Sequence, residues 1–200
     1  MTNPTDDRSV CVVIPMPNDP PWELFDAISD DIPIIVCDDS NGKLAPAPRP
    51  NVTYFDYAAQ EAYAGKHYAA MPHRSAASRN FGHYWAYKEG FDVIIALDYD
   101  CDTRGDWVGD HLSCLTTVTD QPAVKPVAQG GWVNSIENDE FYARGYPYEY
   151  RTSELSQVID TTASGEVKLN MGVWDRVLDL NGVDKFWKEP PYDPGLRADE

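Results

Sequence analysis

The sequence predicts an α/β protein in which a mostly parallel central sheet is flanked by helices, and three observations carry that expectation. Short, continuous, β-branched runs recur along the chain: Val10 to Pro15, Pro33 to Cys37 and Asp92 to Leu97. Runs of that kind suit strands buried on both faces of a parallel sheet. Helically spaced segments alternate with them, which is the order that parallel strands joined by right-handed crossovers require. Finally, two of the runs end abruptly in clusters of carboxylates, and open α/β sheets bind their ligands beyond the carboxyl ends of their strands. At 200 residues the chain suits one domain with a proper core.

Each element has its own justification. Val10 to Pro15 is the first strand. Asn18 to Ser29 offers a capping residue, Pro20 and Pro21 for a first turn, then Trp22, Phe25 and Ile28, and is read as a helix. The second strand, Pro33 to Cys37, stops at Asp38-Asp39-Ser40-Asn41-Gly42, a dense run of turn formers. Pro46, Pro48 and Pro50 lead to a short third strand, Val52 to Asp56, and the Ala- and Tyr-rich stretch Tyr57 to Ala70 is read as helical. Ser75 to Glu89 reads as a helix capped by Ser75 and stopped by Gly90. Asp92 to Leu97 is another buried strand, and a helix begins near Asp106. Beyond Pro122 the periodicity degrades and no element is assigned. Residues 1–9 read as a disordered leader, 10–187 as a single domain and 188–200 as a polar tail.

Charge excludes some partners. Asp and Glu total 33 against 16 Lys and Arg, a net charge of -17 with a pI near 4.4, which opposes binding to nucleic-acid phosphates or anionic lipid. The acids are mostly Asp, 23 against 10 Glu, while Lys falls to 7. That bias suits a surface in a high-salt cytoplasm, where cations screen the self-repulsion; an ordinary acidic surface is the alternative. Apolar residues at 42% and aromatics at 12% are too many for a disordered acidic chain. Cys11, Cys37, Cys101 and Cys114 show no C-x-x-C spacing, so neither a zinc site nor a disulfide framework is expected and a reducing compartment is. No apolar run approaches the ~18 residues of a transmembrane helix, and no signal-like segment opens the chain. A cytoplasmic location follows as the expectation.

The chemistry belongs at the strand ends. Asp98, Asp100 and Asp102 are spaced by two, so along an extended segment they share a side and offer hard oxygen ligands to Mn²⁺ or Mg²⁺. An acidic loop that merely solvates a strand end is the competing reading. A calcium loop is disfavoured: Asp98, Asp100, Asp102 and Asp106 fit positions one, three, five and nine, but Thr103 stands where a glycine and Gly109 where a bidentate glutamate is needed.

Taken in order, a buried strand, a strand ending in Asp38-Asp39-Ser40, a helix carrying Ser78-Arg79-Asn80-Phe81-Gly82 and then Asp98-Tyr99-Asp100 resemble the nucleotide-sugar half of GT-A glycosyltransferases. Later segments narrow the resemblance to the reversibly glycosylated polypeptides, which include the UDP-arabinopyranose mutases. Leu97-Asp98-Tyr99-Asp100-Cys101 stands where that family has Asp-Asp-Asp-Cys. Arg144-Gly145-Tyr146-Pro147-Tyr148 followed by Arg151 is similar to its Arg-Gly-Tyr-Pro-Phe block, and Gly172-Val173-Trp174 to its Gly-Leu-Trp. The sequence departs from the family at Tyr99, at Met171 where plant members have His, and after Asp184, where later family segments have no counterpart; it reads as a short member.

The resemblance implies a GT-A-like single domain and a metal-dependent UDP-sugar enzyme, either a glycosyltransferase or a mutase. Its alternative is a catalytically inert nucleotide-sugar-binding subunit in a larger assembly, and a homo- or hetero-oligomer is compatible with either. Asp38, Asp39, Arg79, Asn80 and Asp98 would hold the nucleotide, and Asp98, Asp100 and Asp102 the Mn²⁺ or Mg²⁺. Arg144, with Arg151, would be catalytic, Arg144 accepting the glycosyl group. From bare chemistry Arg144 reads instead as a diphosphate clamp, because a guanidinium with a pKa above ~12 is a poor nucleophile. Trp132, Tyr146 or Trp174 would wall a uracil or sugar, or else pack the core.

Overall fold

The computed structural model of the chain describes residues 7–19, 22–44, 49–101, 103, 105–127, 131–134, 142, 146–151 and 157–170. The chain forms two compact units, Met1–Asp110 and His111–Glu200.

The first unit holds a parallel sheet of β1 (Val10–Met16), β2 (Ile34–Asp38), β3 (Val52–Phe55) and β4 (Val93–Ala96), in the order β3-β2-β1-β4. Register sets Val12 opposite Ile34 and Val10 opposite Val93. Because side chains alternate along a strand, this register gathers Val12, Ile14, Met16, Ile34 and Val36 on one face and Cys11, Val13, Ile35 and Cys37 on the other. The first face is covered by Phe25 and Ile28, with Trp22, Trp107 and Val108 partly buried against it. The second is covered by Ala64, Phe81 and Ala86. Each fully buried Val, Ile or Phe contributes ~1.5–3 kcal/mol. This explains why two all-apolar runs fix the centre of the sheet. The run at β4 has the same composition but lies at the edge of the described sheet, so only Ile95 is buried and Ala96 is exposed.

Helices follow their caps. The Asp56 carboxylate accepts the Ala59 N–H at 2.8 Å and starts α1 (Tyr57–Ala64), which continues as a 3-10 turn from Gly65 to Ala70. Ser75 Oγ accepts the Ala77 N–H at 3.2 Å, opening a 3-10 turn, Ala76–Arg79, that runs directly into α2 (Asn80–Glu89). Gly90, at φ 84°, ends it. The helix expected over Asn18 to Ser29 is only a 3-10 turn, Trp22–Phe25. Trp22, Phe25 and Ile28 are spaced by three, which matches three residues per turn better than 3.6. Arg49 reinforces this segment, its guanidinium donating to the Phe25 and Ile28 carbonyls.

Helix α3 (Trp107–Cys114) follows, and the second unit contributes a two-stranded antiparallel ribbon, β5 (Thr117–Pro126) with β6 (Val158–Glu166). Sequence patterning missed this ribbon. Pro122 and Pro126 lie inside β5, and proline within a run argues against a strand unless it falls where no ladder donor is needed.

Candidate functional site

Strands β2 and β4 both pair with β1 in parallel, so their C-terminal ends open on one rim of the sheet. Chain order runs outward from β1 to β3 and then reverses to β4, which makes the rim beside the end of β1 a topological switch point. The acidic turn after β2 and the Asp98 segment after β4 therefore flank the same strand end.

Asp38 and Asp39 are both buried, but they do different things. The Asp38 carboxylate accepts the Ser40 N–H and hydroxyl at 2.6 Å each, the Gly42 N–H at 2.9 Å and the Tyr54 hydroxyl. Burial would raise its carboxyl, but these donors outweigh it and hold Asp38 below the usual carboxylate range. Tyr54 is pushed up by burial and by its bond to Asp38. Asp38 is thus the internal anchor of a turn in which Asn41 and Gly42 take positive φ. Asp39 meets its partners on Oδ1: the Arg74 N–H at 2.7 Å, the Tyr57 hydroxyl at 3.2 Å and His73 Nδ1 at 3.6 Å. Oδ2 accepts no hydrogen bond from the described residues, so of the two carboxylates Asp39 is the one with an oxygen left for a ligand. His73 stacks on Tyr57 with ring centroids 3.7 Å apart and meets the Tyr68 hydroxyl at 2.6 Å, while buried Gln60 donates to the Asp38 carbonyl at 2.9 Å. Sequence reasoning did not single out Tyr57, Gln60, His73 or Arg74. These positions lie 19 to 36 residues beyond Asp38, and only the fold brings them to it.

On the other side of β1, Arg79 Nη2 meets Asp98 Oδ1 at 2.5 Å, uniting two residues that the sequence placed in one site. Arg79 is carried there by the short 3-10 turn that precedes α2, and Asp98 is the first residue beyond the ladder, which ends where Leu97 N–H donates to the Val13 carbonyl. Asn80 opens α2 and is exposed. The Asp98 to Cys101 stretch is not extended: Cys101 N–H donates to the Asp98 carbonyl at 3.1 Å, closing a turn. The alternation that would set Asp98 and Asp100 on one side of a strand therefore does not apply, although both carboxylates are exposed. His83, one helical turn after Arg79, is held below its ordinary pKa by burial and by the Arg79 charge. An i, i+4 reading from Arg79 could have found it.

In the second unit, Arg151 lies over the Tyr148 ring at 3.9 Å and the Tyr142 ring at 5.0 Å, and its Nη2 donates to the Tyr146 carbonyl at 3.1 Å. Tyr146 is buried and Trp132 half-exposed. Asp102, Arg144, Met171 and Trp174 lie outside the described residues, as do residues 1–6 and the tail over 188–200.

Among the described residues no group of three or more metal-ligating side chains converges, and no helix is long and apolar enough to cross a membrane. Asp98 and Asp100 are nonetheless chemically suited to a hard divalent ion: both are exposed carboxylates, and Arg79 occupies only one oxygen of Asp98. The fold and rim define an α/β protein with a parallel four-stranded sheet and a carboxylate-lined strand-end site. No protein-family model, no curated protein and no solved structure matches the chain.

Proposed function

We propose that this protein is a UDP-sugar enzyme of GT-A architecture, a glycosyltransferase or sugar mutase resembling the reversibly glycosylated polypeptides and working in a salt-rich cytoplasm. The observation that carries this reading is the pairing of Arg79 with Asp98 at the end of β4, on the rim that also bears Asp39. Breaking the bond between an anomeric carbon and a diphosphate demands stabilisation of the departing negative charge. Arg79 supplies a fixed cation for that purpose. Asp39 Oδ2 is free to accept from a ribose hydroxyl or a base N–H, and Asp38 holds the turn that presents it. Asp98 and Asp100, with Asp102, would hold Mn²⁺ or Mg²⁺, which when bound neutralises the diphosphate without moving a proton. Arg144 is the proposed glycosyl acceptor, and Arg151 its neighbour in the same motif.

The test has two arms. Calorimetric titration with UDP should give binding that requires Mn²⁺ or Mg²⁺ and is lost in EDTA; equal affinity in EDTA, or an Asp100→Ala variant with unchanged metal dependence, overturns the metal assignment. Incubation with a panel of UDP-sugars should then add one sugar mass, reversed by excess UDP and abolished in Arg144→Lys. One observation favours an inert binding subunit instead: Arg79 engages Oδ1 of Asp98, a carboxylate that the metal would need. UDP binding with no adduct and no turnover across the panel would decide for that reading.

A further inference from the structure

The two edges of the β5–β6 ribbon are chemically unlike. Val127 N–H donates to the Gln157 carbonyl at 2.9 Å, and the ladder continues in register from Pro126 opposite Val158 to Gln121 opposite Ala163. Hydrogen-bonded pairs alternate in an antiparallel ladder. Lys125, Ala123 and Gln121 therefore turn their amides toward β6, while positions 122, 124 and 126 turn outward. Two of those three are prolines, so from Pro122 to Pro126 the outer edge of β5 offers only the Val124 N–H and is closed to a further strand over that stretch. In β6 the same alternation turns the amides of Val158, Asp160 and Thr162 outward, and the strand contains no proline and no lysine. Among the described residues no strand pairs with that edge. Most of both strands is exposed, and a two-stranded ribbon by itself is marginal in water.

We propose that the outer edge of β6 is a dimerisation edge, where a second copy of this chain adds its own β6 antiparallel across a two-fold axis to make one four-stranded sheet. Self-pairing centred on Thr162 sets Thr162 opposite its counterpart, Asp160 opposite Ser164 and Val158 opposite Glu166, so no carboxylate faces another, and Thr–Thr pairs are favourable across strands. A register centred on Asp160 would oppose two carboxylates and is excluded on that ground. This inference is independent of the nucleotide-sugar reading.

Sedimentation equilibrium of the full chain in molar KCl, where the net charge of -17 is screened, tests the proposal. The wild type should dimerise, and hydrogen exchange should find the Asp160 and Thr162 amides protected in the dimer. Thr162→Pro removes an outward amide while leaving the β5 ladder its donors, and should weaken dimerisation at least tenfold. Thr162→Asp, which sets two carboxylates at the axis on an exposed position, should do the same while its circular dichroism stays that of the folded wild type, so the result stands even if the proline variant folds poorly. A wild type that stays monomeric at high concentration overturns the proposal, as does a folded Thr162→Asp variant that dimerises as tightly as the wild type. Protection of those two amides in a monomer would mean that the chain covers its own edge, and also overturns it.

Discussion

A methyl group at position 82 has no room. A Cβ built there would stand 2.3 Å from Val13 Cγ1 and 2.8 Å from Cys37 Sγ, so glycine is what lets α2 lie close against the centre of the sheet. Val13 and Cys37 are fully buried and packed, so neither can yield cheaply. Gly82→Ala should lower stability by about 1–3 kcal/mol, the usual range for overpacking, measured by denaturant unfolding. Asp38 makes a pH prediction. Its folded-state pKa is depressed, so its contribution is fully present above the unfolded value near ~3.9 and is lost as pH falls through the folded value. Asp38→Asn should therefore cost about 2 kcal/mol at neutral pH, on the scale of hydrogen bonds to a charged group, and the gap to wild type should narrow in acid. Melting curves at neutral pH and down to about pH 3 check both the size and the sign. The buried Cys37 thiol, pushed up to about 12 chiefly by burial, is expected to stay unmodified by alkylating reagents until the protein unfolds.

At the scale of elements, caps and breakers did most of the predictive work. Ser75 and Gly90 bracket the segment containing α2 as their side-chain and backbone preferences require, and Asp56 starts α1 by accepting the Ala59 N–H. Asp56→Ala should cost about 1 kcal/mol in chemical denaturation, the typical loss for a helix N-cap. The buried strands were legible because an all-apolar run of five to seven residues has few other places to go. What patterning could not supply was context. The run at β4 has the composition of a buried strand but sits at the edge of the described sheet, and β5 conceals its two prolines at positions where the ladder needs no donor. The candidate site was legible in the same partial way. Asp38, Asp39, Arg79 and Asp98 carry local signals at strand and helix ends. Tyr57, Gln60, His73 and Arg74 do not, because their roles arise only when the chain folds back onto the turn after β2.

For the molecule as a whole, charge dominates. A net charge of -17 over 200 residues repels itself at low ionic strength, and screening should relieve that repulsion. The melting temperature is expected to rise from dilute to molar KCl in differential scanning calorimetry; a flat or falling trend would leave an ordinary acidic surface.

The position of β1 has a further consequence during synthesis. Met16, the last residue of β1, precedes Ala96, the last of β4, by 80 residues (96 minus 16), while β2 and β3 lie on β1's opposite side. At about 5–20 residues per second, roughly 4–16 seconds of translation separate the two strands. Throughout that interval β1, among the most apolar of the described strands, can close one side against β2 while the amides and carbonyls on its other side wait for a partner not yet translated. The nascent chain thus carries an open apolar edge until β4 emerges, and any product that terminates before Val93 would lack the strand that covers it.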